Sequence, residues 1–166
     1  MSTYFFLIGR PQHGKTTVSK YLSKLRGEPY GSTSDYVYVL LAKRLGTTVE
    51  ELKQRPKESI RPLMVVEADA LCDVTPTGLV DGLVASGVRI IDGIRRRKEL
   101  QMSVKKLQDQ GHTVHVWWIS NPRQAEIRDN TAVTAEDAQA CIVNDGSFEL
   151  LYQKIDRMLG DKTRGA

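Results

Sequence analysis

A run of eight residues near the start of the chain limits its fold more than any other feature. Gly9-Arg10-Pro11-Gln12-His13-Gly14-Lys15-Thr16 fits the phosphate-loop pattern G-x-x-x-x-G-K-[ST] at every fixed position. Ahead of it, Tyr4-Phe5-Phe6-Leu7-Ile8 reads as a buried parallel strand. Behind it, Val18, Leu22 and Leu25 mark one apolar face at helical spacing. A strand, a glycine turn and a helix start aim successive backbone N–H groups at one point, where an anion is stabilised. Gly9 and Gly14 allow backbone angles and a close approach that a side chain would block. Lys15 then reaches the β- and γ-phosphates and the Thr16 hydroxyl takes Mg²⁺. Gly9, Arg10, Pro11, Gln12, His13, Gly14, Lys15, Thr16 and Thr17 are therefore the candidate nucleotide contacts, with ATP and Mg²⁺ as cofactors. The competing reading is a glycine-rich turn that only caps a helix.

At 166 residues the chain has room for one α/β domain and not for two comfortable ones. No run approaches the ~20 apolar residues of a membrane span. The N-terminus lacks the basic segment, apolar stretch and small-residue site of a secretory signal. Cys72 and Cys141 each stand in an apolar setting and read as small buried residues rather than a disulfide or metal pair. These features fit the cytoplasm. A formal charge of +4 suits a polyanionic partner but does not distinguish nucleotide from nucleic acid.

Strand and helix patterns alternate from end to end with no repeat or low-complexity linker, which predicts a doubly wound parallel sheet with helices on both faces, the three-layer P-loop NTPase fold. Helices are expected over 17–25, 34–45 (capped by Ser34 or Asp35), about 48–55, 76–85, 95–110 and 147–159, with a frayed tail from Gly160, and a further helix that carries Met64 to Cys72 is either started or bent by Pro62. Thr48 and Glu51 form a capping-box signature. Strands are expected at 4–8, 88–92, 113–119 and 140–143. Residues 32–86 form a helical, acceptor-binding insertion in a single domain spanning 1–166. Residues 121–134 form a lid-like loop. Ligands of such sheets bind beyond the carboxyl ends of the strands, where the glycine loop, Asp92, Asn121 and Asn144-Asp145-Gly146 all fall.

Asp92 ends a core strand, where it can hold Mg²⁺ or accept a proton from an attacking hydroxyl; the bland alternative is a helix N-cap. Arg95, at an expected helix start, is unfavourable against the helix dipole unless an anion is near, so it is a candidate phosphate contact. Arg96, Arg97 and Lys98 read as a solvated face. Asp35, in Ser32-Thr33-Ser34-Asp35, is an alternative general base and acceptor contact, or else a cap. Arg61 can clamp an acceptor phosphate or pair with Glu58 at i,i+3. Arg123 and Arg128 lie in the lid-like loop and can close over a transferring phosphate. Asn144, Asp145 and Gly146 can line the nucleotide base through their backbone, or serve with Ser147 only as a cap. His112 and His115 have no metal-ligand spacing and read as structural, while His13 is near phosphate by position.

Gly9 to Thr16, the strand ending Asp92-x-x-Arg95, and Ile142-Val143-Asn144-Asp145-Gly146-Ser147 before a terminal helix resemble the deoxynucleoside monophosphate kinases of bacteriophages. In length, and in Ser34-Asp35, Lys57-Glu58-x-x-Arg61-Pro62 and Asp129-Asn130-Thr131, the chain is similar to phage kinases of thymidine hypermodification. That family phosphorylates the hydroxymethyl group of 5-hydroxymethyluracil inside DNA. The resemblance implies a phage protein acting in the host cytoplasm, with modified DNA as acceptor and the target base flipped out of any duplex. The expected reaction is transfer of the ATP γ-phosphoryl group to a nucleotide-type acceptor. Lys15, Asp92, Asp35 and Arg95 are the candidate catalytic residues, Asp35, Arg61 and Arg128 the acceptor contacts, and Thr16 and Asp92 the metal ligands. A P-loop switch that hydrolyses nucleotide to control a partner is the rival from another class. A GTPase switch is disfavoured because the guanine-specifying Asn-Lys-x-Asp element is absent.

Overall fold

A computed structural model of the chain describes residues 1–163 except 126, 128 and 130, and side chains as far as residue 160. The layers follow from alternation along β1 (Thr3–Ile8). Tyr4, Phe6 and Ile8 face one side of the sheet and pack with Val80 and Leu83 of α5 (Gly78–Ala85) and Leu100 and Leu107 of α6 (Arg97–Asp109). Phe5 and Leu7 face the other side, against Val18 and Leu22 of α1 (Lys15–Arg26) and Leu151 and Ile155 of α7 (Phe148–Thr163). A strand buried on both faces is apolar throughout, as parallel strands under crossover helices are.

The other strands are β2 (Tyr30–Ser32), β3 (Ile90–Asp92), β4 (Thr113–Ser120) and β5 (Ala140–Val143). The sheet order is β2-β3-β1-β4-β5, and every pairing is parallel. The doubly wound, three-layer architecture is the one the alternation predicts. β1 therefore leaves the sheet at its centre, with Leu7 in register with Asp92 on one side and Trp117 on the other.

Helices α2 (Thr33–Leu45), α3 (Val49–Gln54), α4 (Lys57–Val74) and α5 separate β2 from β3 in the chain. They carry two small cores of their own, one around Val37, Ala68, Cys72 and Leu79 and one around Leu41, Leu52 and Ile60. The capping box of Thr48 with Glu51 forms as expected.

Several local expectations need correction. Residues 27–31 read in the sequence as a break after the first helix, yet Tyr30 and Gly31 join Ser32 in edge strand β2, whose ladder to Asp92 is too short to show periodicity. The cap of α2 is Ser32, not Ser34 or Asp35; Asp35 is instead the third helical residue of the box. Helix α4 begins at Lys57, five residues before Pro62, because burial of Ile60 against Leu41 and Leu52 holds its first turn. Pro62 lies inside the helix, where it lacks the N–H that would bond the Glu58 carbonyl. Helix α6 begins at Arg97, so Arg95 precedes it. Helix α7 continues past Gly160 to Thr163. Cys141 is exposed on the last strand, while Cys72 is buried and its thiol pushed up to about 11. No helix among the described residues is long and apolar enough to cross a membrane.

One buried group carries a stability prediction. Glu99 on α6 is 1% exposed, neither carboxylate oxygen has a hydrogen-bond partner, and Arg96 stands 4.0 Å away. Burial pushes its carboxyl from the ordinary 4.5 up to about 7. Between those values the folded chain holds a proton that the unfolded chain has lost, so stability falls as pH rises through this window. Glu99→Gln keeps the shape and removes the charge. The gap corresponds to a gain for the variant of up to about 3 kcal/mol at pH 8, vanishing near pH 4. Urea unfolding of both proteins at the two pH values checks this, and equal stability at pH 8 refutes it.

Candidate functional site

The glycine loop is built by close backbone contact. Gly9 has φ 150°, and a Cβ there would run into the Ile119 carbonyl oxygen of β4. Gly14, at φ 99°, caps α1, and a Cβ there would collide with the Asn144 side-chain amide. Gln12 is the single described non-glycine residue at positive φ, 63°, so the turn between the two glycines is held in a backbone region that side chains disfavour. Lys15 folds back across this turn, its Nζ donating to the carbonyls of Gly9 at 2.8 Å and Arg10 at 2.7 Å.

Two asparagines brace the loop from the ends of β4 and β5. The Asn144 amide donates to the His13 carbonyl at 3.2 Å, and the Asn121 N–H donates to His13 Nδ1 at 3.1 Å. His13 is thus a buried strut. Asn144 meets the loop through its side chain. Asp145 pairs with Lys154 at 2.7 Å, and Ser147 supplies the α7 cap through its Oγ.

Asp92 lies beside the loop at the end of β3, 6% exposed. Its Oδ2 accepts the Ser19 hydroxyl at 3.0 Å, and the Ser32 hydroxyl is a second partner. Burial raises its pKa, and the two hydroxyls and the Lys15 charge oppose that rise. Lys15 is shifted the other way, lowered first by burial, with Asp92 and Asp129 countering and Arg95 adding to the shift. Gly93, at φ 85°, turns the chain so tightly that a Cβ would stand 2.6 Å from the Ser32 hydroxyl oxygen, and the Thr33 hydroxyl donates to its carbonyl at 2.8 Å. This turn brings the start of α2 against Asp92. The N-cap alternative for Asp92 is excluded, since Arg96 occupies the cap position.

Thr16 and Asp92 offer hard oxygen donors, which suit Mg²⁺ because that ion keeps several waters and phosphate oxygens beside one or two protein ligands. Thr16 lies three residues before Ser19 and so on the same helix face, the face that meets Asp92. Among the described residues no group of three or more His, Cys, Asp or Glu forms an all-protein metal cage.

The segment after β4 closes the third side. Asp129 accepts Arg95 Nη1 at 2.9 Å, and its other oxygen lies 3.9 Å from Arg10 Nη1. Arg10 also donates to the Thr131 carbonyl at 3.3 Å, while Ala132 N–H bonds the Arg95 carbonyl at 2.7 Å. Between Gly9, Pro11 and Lys15 on one side and residues 93–95, 129 and 131 on the other lies a cleft of about 20 Å³. Asp129 was not legible as a site residue; its sequence neighbourhood offers no periodicity that aims it at the loop.

The remaining candidates are placed as follows. Asp35 lies at the start of α2, its carboxylate 3.3 Å from Lys53 Nζ, and its charge is felt at Asp92. Arg95 precedes α6, so the dipole argument made for it does not apply. Arg61 is exposed on α4, and no hydrogen bond or ion pair among the described residues joins it to the loop, to Asp92 or to Glu58. Arg96 and Arg97 are structural ties rather than a solvated face: Arg96 pairs with Asp69 of α4, and Arg97 pairs with Asp137 at 2.9 Å. Arg123 is exposed beside Asn121. Arg128 and Asn130 lie outside the described residues.

With the loop, the acid and the sheet order in view, solved structures supply the comparison. The fold is shared with shikimate kinases. The enzyme of Aquifex aeolicus vf5 matches with a TM-score of 0.57 and 16% identity, covering 98% of this chain and 99% of that one. The Bacteroides thetaiotaomicron shikimate kinase matches with a TM-score of 0.50 and 13% identity over 96% and 98% of the two chains. The Thermus thermophilus protein TT1252 gives 0.52 and 16% over 96% and 97%. No protein-family model matches the sequence, and no curated protein matches it.

The brace between Gly14 and Asn144 is testable by a double-mutant cycle. Gly14→Ala is destabilising through both its left-handed backbone and the collision with Asn144. In an Asn144→Ala background the collision disappears, so the two losses should fall short of additivity by about 0.5–3 kcal/mol in urea unfolding. Strict additivity would show that the side chains do not meet.

Proposed function

We propose that this chain is a phosphotransferase that moves the γ-phosphoryl group of ATP to a hydroxyl of a nucleotide-type acceptor. The observation that carries the reading is the buried Asp92 carboxylate held beside a glycine loop whose lysine it faces electrostatically. A loop of this kind grips a polyphosphate, and a buried acid with raised proton affinity next to it is suited to take a proton from an attacking hydroxyl. The sharing of a fold with proteins named as shikimate kinases supports a hydroxyl acceptor.

In this scheme the acceptor oxygen forms a bond to the γ-phosphorus as the bond from that phosphorus to the β–γ bridging oxygen breaks. The hydroxyl proton goes to Asp92 or to Asp35, and ADP leaves. Lys15 and the loop amides stabilise charge developing on the phosphoryl oxygens. Thr16 and Asp92 would hold Mg²⁺, which would supply further charge neutralisation when bound. If the metal holds Asp92 as a carboxylate, Asp35 at the start of α2, whose charge is felt at Asp92, is the alternative base. Arg95 and Arg10 hold the phosphates from the opposite side.

For the acceptor we favour the hydroxymethyl group of 5-hydroxymethyluracil in phage DNA. The support is the similarity of Ser34-Asp35, the Lys57 to Pro62 segment and Asp129-Asn130-Thr131 to the thymidine-hypermodification kinases. A charge of +4 adds to it, since each phosphate contact on a DNA strand adds salt-dependent affinity. On this reading Arg61 and Arg128 contact the acceptor's phosphates, and the protein acts in the host cytoplasm.

Transfer of labelled γ-phosphate from ATP is to be measured with three acceptors: DNA containing 5-hydroxymethyluracil, unmodified DNA, and free deoxynucleoside monophosphates. Label is expected in the modified DNA alone. Label in the monophosphates alone replaces the acceptor, and rapid release of phosphate without any acceptor favours the switch. Lys15→Ala should lower transfer by about 10²–10³ with its unfolding midpoint preserved, the loss typical of one electrostatic donor in a preorganised site.

A further inference from the structure

Among the described residues, Arg10, Lys15 and Arg95 come together with the Asp129 carboxylate at the cleft beside the glycine loop. Asp129 is the carboxylate, 11% exposed, with Arg95 at 2.9 Å and Arg10 at 3.9 Å, and its charge is felt at Lys15. The cations come from separate places: Arg10 and Lys15 from the loop, Arg95 from the turn after β3. Asp129 reaches them from the segment that follows β4. Its position is pinned locally, because the Thr131 N–H and hydroxyl both donate to it, at 3.0 and 2.8 Å.

A carboxylate gathered by cations at a phosphate-gripping loop does the electrostatic work of the ligand itself. We propose that Asp129 is an internal counter-anion that holds Arg10 and Arg95 while the loop is without nucleotide, and that incoming polyphosphate must displace it. The inference rests on the reading of the loop as a nucleotide site and adds a regulatory contact to it. Two bodies of like charge cannot both sit against these cations without repulsion. Binding therefore competes with the Asp129 contact, and apparent affinity is reduced by the fraction of molecules in which that contact is closed. The competition also serves specificity. A single phosphate or a carboxylic acid offers too little charge to exchange for Asp129, whereas a triphosphate with its metal offers more.

The opposite role makes the opposite forecast. If Asp129 instead presents the arginines to the phosphates, its removal weakens binding.

Titration calorimetry with ATP and Mg²⁺, and separately with inorganic tripolyphosphate, is run on the wild type, Asp129→Asn and Asp137→Asn. Asp129→Asn keeps an acceptor for Thr131 and loses the charge, and should bind both probes about tenfold more tightly. Asp137→Asn loosens the Arg97 tie of the same segment without touching the cleft, and should bind as wild type does. Affinity of Asp129→Asn equal to or below that of wild type overturns the proposal. A tighter Asp137→Asn does so as well, by showing that looseness alone is enough. Should neither wild type nor Asp129→Asn bind either probe, the nucleotide reading falls and this one with it; binding by the variant alone supports displacement. Hydrogen exchange on the wild type is independent of any variant. Addition of tripolyphosphate should speed exchange at the Thr131 amide, and slower exchange there contradicts displacement.

Discussion

Everything at the business end of this molecule depends on backbone coming within contact distance of backbone where β1 leaves the sheet. Gly9 passes so near the Ile119 carbonyl oxygen that no side chain fits between them, and the Gly14 backbone passes as near the side-chain amide of Asn144. These approaches seat the loop between its neighbours and place a helix N-terminus behind it, with Asp92 to one side and the two asparagines to the other. The order β2-β3-β1-β4-β5 makes this possible, because only a central strand has a partner on each side to hold its outgoing loop. A wider spacing would free room for ordinary residues and would loosen the direction of the N–H groups.

Burial then acts on the charges gathered there. It lowers the Lys15 ammonium and raises the Asp92 carboxyl, so both groups sit nearer neutrality than they would in water. Each is held charged by neighbours rather than by solvent: Asp92 by two hydroxyls and Lys15, Lys15 by two carbonyls and two acids. Such groups respond strongly to any new charge, because little water is present to screen it.

The strand-loop-helix unit was readable because its spacing is rigid and its residue types have few alternatives. The end of the strand at Asp92 was equally plain, since a mostly apolar run closed by an acid reads as a core strand, although the strand begins at Ile90, two residues later than expected. Edge strand β2 escaped notice because three residues, Tyr-Gly-Ser, carry no alternation. Pro62 left the start of α4 open, since a proline can open a helix or bend one, and the contact through Ile60 places that start at Lys57. Asp129, Asn144 and Asn121 act through pairings 34 to 131 residues apart in sequence, and no local pattern announces such contacts. Arg96 and Arg97 looked like a solvated basic face because their acidic partners, Asp69 and Asp137, lie on distant segments.

The two ends of the sheet carry a consequence for association. Its outermost strands, β2 and β5, span three and four residues. An extended chain that tried to lengthen the sheet would find at most that many free ladder positions, too few to hold a register. The sheet is thus poorly templated for strand addition. What each edge strand leaves exposed beside it is helix rather than ladder, so the sheet ends as a closed layer.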